Sequence, residues 1–180
     1  MIYMFLANGF EEVEALAPLD LLRRAGLPVT TVAVGGKDFV IGSHGIVVGA
    51  DIPEELFRDS KPDAVLLPGG MPGAKNLDAS GTVEAALRAC QNNGGILAAI
   101  CAAPMILGKR GYLSGKKATC FPGFESELRG AILSGEKVVT DGNIVTAAGM
   151  GVAVDFGLAL VARFCGESRA RELAGAIQMR

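Results

Sequence analysis

The chain has 180 residues, half of them hydrophobic, and a formal net charge of −2. A chain in the range of about 100–200 residues is met most simply by one domain around one core, here spanning positions 1 to 180. So small a net charge, with no run of like charges, argues against nucleic acid or a membrane surface as a partner.

The first element is a strand, Ile2–Ala7, which the chain enters at once. With no basic leader ahead of it, and no apolar run of the ~18 residues a span requires, a cytoplasmic protein is expected. Asn8-Gly9-Phe10-Glu11-Glu12-Val13-Glu14 then leads into a helix over Glu12–Ala25, which Arg24-Ala25-Gly26 closes with positive charge and a glycine. Pro18 lies inside it and withholds the N–H that would meet the Glu14 carbonyl, so a bend is expected there. A strand follows at Val29–Val34, then an added hairpin of Val40–Gly42 and Ile46–Gly49. The strand Ala64–Leu67 runs into Pro68-Gly69-Gly70. Next come a helix at Thr82–Asn92, a strand at Ile96–Ile100 and a helical run within Ala102–Gly111. Lys137–Thr140 and Asn143–Thr146, joined by Asp141-Gly142, read as a tight hairpin. A strand at Ile144–Ala147 and a helix at Val152–Phe164 complete the pattern. Continuous apolar strands alternating with helices indicate an α/β fold, a flavodoxin-like three-layer sandwich on a mostly parallel sheet.

Functional groups in such sheets gather outside the carboxyl ends of the strands. Cys101 ends an apolar strand and stands where a helix-compatible run begins, between small residues. That is the setting of a nucleophile elbow, and a helix N-terminus there would favour thiolate. A buried structural cysteine is the plainer alternative from this segment alone. Gly70 follows a second strand end, in a turn whose N–H groups could receive an oxyanion. Glu14 is the odd residue of the first helix, since Ala17 and Leu21 at i+3 and i+7 place it on the apolar stripe. A carboxyl there needs a partner or a proton. It is read as a protonated group that hydrogen-bonds the Cys101 sulfur, against the alternative of a half-exposed surface glutamate. Glu11 and Glu12 suit the helix dipole and need nothing more. Cys90, Cys101, Cys120 and Cys165 are far apart, with no C-x-x-C and one histidine, His44. No metal site, no cofactor and no disulfide is therefore expected.

These motifs resemble the DJ-1/ThiJ/PfpI superfamily, and the likeness runs nearly end to end. It rests on Asn8–Glu14, on Pro18–Gly26, on Leu67-Pro68-Gly69-Gly70-Met71-Pro72-Gly73-Ala74 and on Ala99-Ile100-Cys101-Ala102-Ala103-Pro104. The resemblance puts the family's elbow cysteine on Cys101 and its helix glutamate on Glu14. It puts the backbone donors on Gly70 and Ala102. It implies a flavodoxin-like fold, a homodimer, a cysteine readily oxidised to sulfinate, and activities of the glyoxalase, deglycase, chaperone or protease kind. The candidate dimer surface is the first helix with the hairpin around His44.

Two departures bear on mechanism. Where many relatives have a histidine near the cysteine, this chain has Cys120, and Thr146–Gly151 lacks the usual hydroxyl and proline residues. Acid–base work would fall on Glu14 alone, which counts against a Cys–His protease. Two functions remain. In one, Cys101 adds to a small reactive carbonyl or glycated substrate while Glu14 carries the proton. In the other, Cys101 is a non-enzymatic redox sensor or chaperone centre, oxidised to sulfinate. Cys101 is also expected to be the most acidic of the four thiols.

Overall fold

The computed structural model describes residues 1–179. At its centre is a seven-stranded sheet. Its strands are β1 (Ile2–Ala7), β2 (Val29–Val34), β5 (Ile52–Pro53), β6 (Ala64–Leu67), β7 (Ile96–Ile100), β10 (Val138–Asp141) and β11 (Ile144–Ala147), in spatial order β10-β11-β7-β6-β1-β2-β5. Every pairing is parallel except the β10–β11 edge. A hairpin of β3 (Phe39–Ile41) and β4 (Val47–Gly49) stands apart, as does a parallel pair of β8 (Lys117–Ala118) and β9 (Ile132–Leu133). The five central strands begin and end where their apolar runs do. A strand covered on both faces has no polar position at which to stop early.

Helices cover both faces. On one face lie α1 (Glu12–Arg24), α5 (Ala153–Cys165) and α6 (Glu167–Ala176), which pack on Ile2, Met4, Leu6, Leu66, Ala98 and Ile100. On the other lie α2 (Gly73–Ala79), α3 (Gly81–Asn92) and α4 (Pro104–Lys109), against Phe5, Ala7, Val65, Leu67, Leu97 and Ala99. Alternate residues of one strand thus serve two cores, as the period of two requires. A flavodoxin-like α/β fold results. Helix α1 runs through Pro18 as one element. Helix α5 presses on it closely, for a Cβ on Gly157 would lie 2.9 Å from the Pro18 Cα and 2.6 Å from Leu21 Cδ1.

Three sequence expectations need correction. The Ala102–Gly111 run is helical only over Pro104–Lys109, with a turn over residues 101–103. The hairpin turn is Gly142-Asn143 rather than Asp141-Gly142, because Asp141 pairs with Ile144 and Gly142 takes the positive φ of 61°. Helices α2 and α6 were not anticipated. The first opens out of Gly-Gly-Met-Pro-Gly, which reads as a turn, and the second buries only Ala170 and Leu173, too thin a stripe to show periodicity. Among the described residues no helix is long and apolar enough to cross a membrane.

Candidate active site

Strands β1, β6 and β7 are neighbours and parallel, so their carboxyl ends open on one edge. The chain leaves β1 toward α1 on one face and β6 toward α2 on the other, which leaves a crevice between them. Loop 8–11, Pro68–Pro72 and Cys101 meet there. Glu11 caps α1, its carboxylate accepting the Glu14 N–H at 2.7 Å. That fixes the first turn and rolls Glu14 inward, where it is 2 % exposed. The Gly69 N–H donates to Glu14 Oε2 at 3.0 Å, and the Met150 N–H faces the carboxyl and favours its charged form.

Cys101 has φ +65°, in the left-handed region that a side chain enters only when its surroundings enforce it, at a cost of ~1–3 kcal/mol. Two backbone bonds enforce it here. The Cys101 N–H donates to the Ala147 carbonyl at 2.9 Å, and the Cys101 carbonyl accepts the Phe121 N–H at 2.8 Å. The half-buried sulfur then meets the Glu14 carboxyl and the N–H groups of Gly70 and Ala102. The glycines make this approach possible. A Cβ on Gly69 would sit 2.6 Å from both the Cys101 Cβ and Glu14 Oε2. Gly70 has φ +83°, and a Cβ there would lie 2.4 Å from the Glu11 nitrogen. Cys101, Glu14, Gly70 and Ala102 are therefore neighbours at this edge.

The electrostatics differ from the expectation. Helix α4 starts three residues beyond the sulfur and is a short element, so no helix terminus favours the thiolate. Burial pushes the Glu14 carboxyl up to about 7, against the lowering effect of its hydrogen bonds from Cys101 and Gly69. Burial first, and then the Glu14 charge, push the Cys101 thiol up to about 12. Cys101 is thus not acidified on its own account. The two values belong to the pair: two negative charges cannot share this site, so one proton stays between oxygen and sulfur over that whole interval.

The other candidates lie apart. Cys120 is buried, and its thiol faces the Phe124 N–H, pushed up to about 11 by burial and by Glu125. It lines a cavity of about 210 Å3 with Pro122, Glu125, Lys137 and Ala148 rather than joining the pair. His44 is exposed, and its Nδ1 lies 2.9 Å from Glu12 Oε2. Glu12 did call for an explanation after all. It is 3 % exposed and accepts the N–H groups of His44 and Ile46 at 2.8 and 3.4 Å, so it pins the hairpin to α1. Burial opposes its charge, yet the His44 ring and these N–H groups hold it down to about 2. Ligand atoms of Glu11, Glu12 and His44 fall within 4.8 Å of one another, but the Glu12 oxygens are already occupied as acceptors. The roles of Gly69 and the Met150 N–H had no signal beyond the glycine pair itself, since backbone donors carry no side-chain signature.

The chain is 36 % identical over 173 residues to protein dj-1beta of Drosophila melanogaster, covering 95 % of this chain and 92 % of that protein. It is 31 % identical over 148 residues to a protein named a deglycase in Pyrococcus abyssi, covering 81 % and 88 %. The solved structure of oxidised Toxoplasma gondii DJ-1 superposes with a TM-score of 0.94 at 31 % identity, covering 98 % of this chain and 97 % of that one. The model of the DJ-1/PfpI family matches residues 1–163. With that match, these relatives and the Cys101 elbow on a flavodoxin-like sheet, the chain belongs to the DJ-1/PfpI family.

Proposed function

We propose that the chain is a cysteine-dependent enzyme acting on reactive carbonyls, in the glyoxalase or deglycase manner. The observation that carries the reading is the contact between the Cys101 sulfur and the Glu14 carboxyl beneath the Gly70 and Ala102 N–H groups. The Pyrococcus relative's name supports it. The Cys101 thiol passes its proton to the Glu14 carboxylate, and the thiolate so formed adds to the aldehyde carbon of an α-oxoaldehyde. Glu14 protonates the new alkoxide, which the two N–H groups hold as it forms. Glu14, now a carboxylate, takes the aldehyde-derived C–H proton and returns it to the neighbouring ketone carbon. The hydroxyl proton of the first carbon passes to the former ketone oxygen, so the first carbon is oxidised to a thioester and the second reduced to an alcohol, with no outside electron acceptor. Water, deprotonated by Glu14, then hydrolyses the thioester, releases the 2-hydroxy acid and restores thiolate and carboxylic acid.

Steady-state lactate from methylglyoxal tests this. Cys101→Ser and Glu14→Gln should each lose it, since glutamine keeps size and hydrogen bonding but carries no exchangeable acid. Full turnover in Glu14→Gln would make the carboxyl structural. The second reading is a redox sensor, favoured by the absence of an imidazole from the pair and by N–H donors that could equally hold sulfinate oxygens. Two oxygens gained at Cys101 under mild peroxide, with no turnover of any dicarbonyl, would give it the lead.

We also propose a homodimer through α1 and the hairpin, where Val13, Ile46 and Val47 are exposed at 44, 53 and 61 %. Light scattering should return twice the 18.5 kDa chain mass. A monomer at micromolar concentration would remove the proposal.

A further inference from the structure

Around the sulfur and the Glu14 carboxyl, three loops each contribute a large apolar side chain to solvent. Met71 is 40 % exposed, Phe121 47 % and Met150 53 %. Each grows from backbone that already touches the pair. Met71 follows Gly70, whose N–H meets the sulfur, and the Phe121 N–H bonds the Cys101 carbonyl. The Met150 N–H faces the Glu14 carboxyl. The Phe121 ring stands close to that carboxyl, since a Cβ on Gly149 would lie 3.3 Å from Phe121 Cδ2 and 3.9 Å from Glu14 Oε1. These three sit on separate loops, each at backbone that borders the pair, so their exposure is not a by-product of one helix or strand presenting its core face.

The charge around the pair has one sign. Glu11 is the outside charge that acts on Glu14, and the pair itself carries a negative charge over most of its range. Among the described residues, no lysine, arginine or histidine side chain hydrogen-bonds or ion-pairs with Glu14 or Cys101. His44, the single histidine, is bound to Glu12. A carboxylate on the incoming molecule would therefore meet repulsion with no cation to offset it, in a half-buried site where screening is weak. A neutral molecule with an apolar substituent would instead cover exposed methionine and phenylalanine surface.

We infer that Met71, Phe121 and Met150 form an apolar rim that selects neutral α-oxoaldehydes bearing an apolar group on the ketone carbon, and that the site turns away carboxylate-bearing carbonyls. This deepens the carbonyl-enzyme reading and rests on it for the word substrate. The recognition itself can be measured without turnover.

Alkylation of Cys101 by N-phenyliodoacetamide, iodoacetamide and iodoacetate, each rate divided by that of the same reagent on glutathione, reports the selectivity. Peptide mapping separates Cys101 from the exposed Cys165. The expected normalised order is phenyl above unsubstituted above carboxylate, with about tenfold between successive members, the size of a modest apolar contact or one unpaired charge. Phe121→Ser, Met150→Ser and Met71→Ser should each shrink the phenyl-to-unsubstituted ratio and leave the carboxylate disfavoured. Turnover should follow, with kcat/KM for phenylglyoxal above that for methylglyoxal. Equal normalised rates for the three reagents in the unmutated protein overturn the inference, whether or not any variant folds. So does an unchanged ratio in all three variants. If the order holds while no dicarbonyl is turned over, the selectivity stands as recognition of neutral apolar electrophiles and the enzyme reading fails.

Discussion

Replacing Glu14 by leucine tests the central electrostatic claim, because it removes the acid and leaves the burial. Beyond burial, the Glu14 charge and its hydrogen bond push the Cys101 thiol up, against the lowering effect of the Gly70 and Ala102 N–H groups. A hydrogen bond to a charged group is worth ~1.5–3 kcal/mol. At about 1.4 kcal/mol per pH unit, its loss should move the midpoint of thiolate formation down by about 1–2 units. In the unmutated protein the thiol is pushed up to about 12, so the shift is read below the midpoint. The assay is the rate of iodoacetamide labelling at Cys101 between pH 5 and 10, read by peptide mass. At a fixed pH in that range, labelling of Glu14→Leu should be faster by ~10–100-fold, the same shift written as a ratio. Glu14→Gln should also label faster, since an amide carries no negative charge. Labelling that stays the same or slows would refute the reasoning. It would mean that the carboxyl holds the proton and donates it to a thiolate.

The same burial has a consequence for stability. The folded Glu14 carboxyl titrates near 7 rather than 4.5, so the native state binds the extra proton, and stability falls as pH rises between those values. Glu14→Gln should therefore be more stable than the parent above pH 7, by up to ~3 kcal/mol, with the gain shrinking toward pH 4.5. Urea titrations at pH 4.5 and 8 measure it, and an equal difference at both would contradict the shift. Gly69→Ala should cost ~1–3 kcal/mol and most of the turnover, because its Cβ would lie 2.6 Å from the Cys101 Cβ and from Glu14 Oε2. An active, equally stable variant would show that the pair does not need that approach. His44 is raised by its bond to Glu12, whose own value falls to about 2. The histidine's contribution is full below its usual 6.5 and fades as pH rises through its raised value, while that of Glu12 is full above 4.5 and is lost toward 2. Thermal melts of His44→Ala should therefore show the largest loss between about pH 4.5 and 6.5 and a smaller one at pH 9. The same loss at both would leave the charge pairing without effect.

Five of the seven strands of the sheet are legible in the local sequence. Ile2–Ala7, Val29–Val34, Ala64–Leu67, Ile96–Ile100 and Ile144–Ala147 are strands at those limits, because each is an apolar run buried on both faces. The outlier logic worked for Glu14 as well. A carboxyl in phase with Ala17 and Leu21 had to find a partner, and it is buried against Cys101. Where logic stayed local it went astray. The acidity assigned to Cys101 from an adjoining helix depended on where that helix begins, and Pro104, not Ala102, begins it. Glu12 looked like a surface charge at a helix start, and only the return of the hairpin, some thirty residues on, buried it under the His44 and Ile46 N–H groups. Backbone donors at Gly69, Gly70 and Met150 belong to any residue type, so their aim exists only once three strand ends share an edge. Composition and periodicity act over a few residues, and they fix strands and helix faces. The proton that Glu14 and Cys101 hold between them depends on burial and on charges brought from distant segments, and those are properties of the folded chain alone.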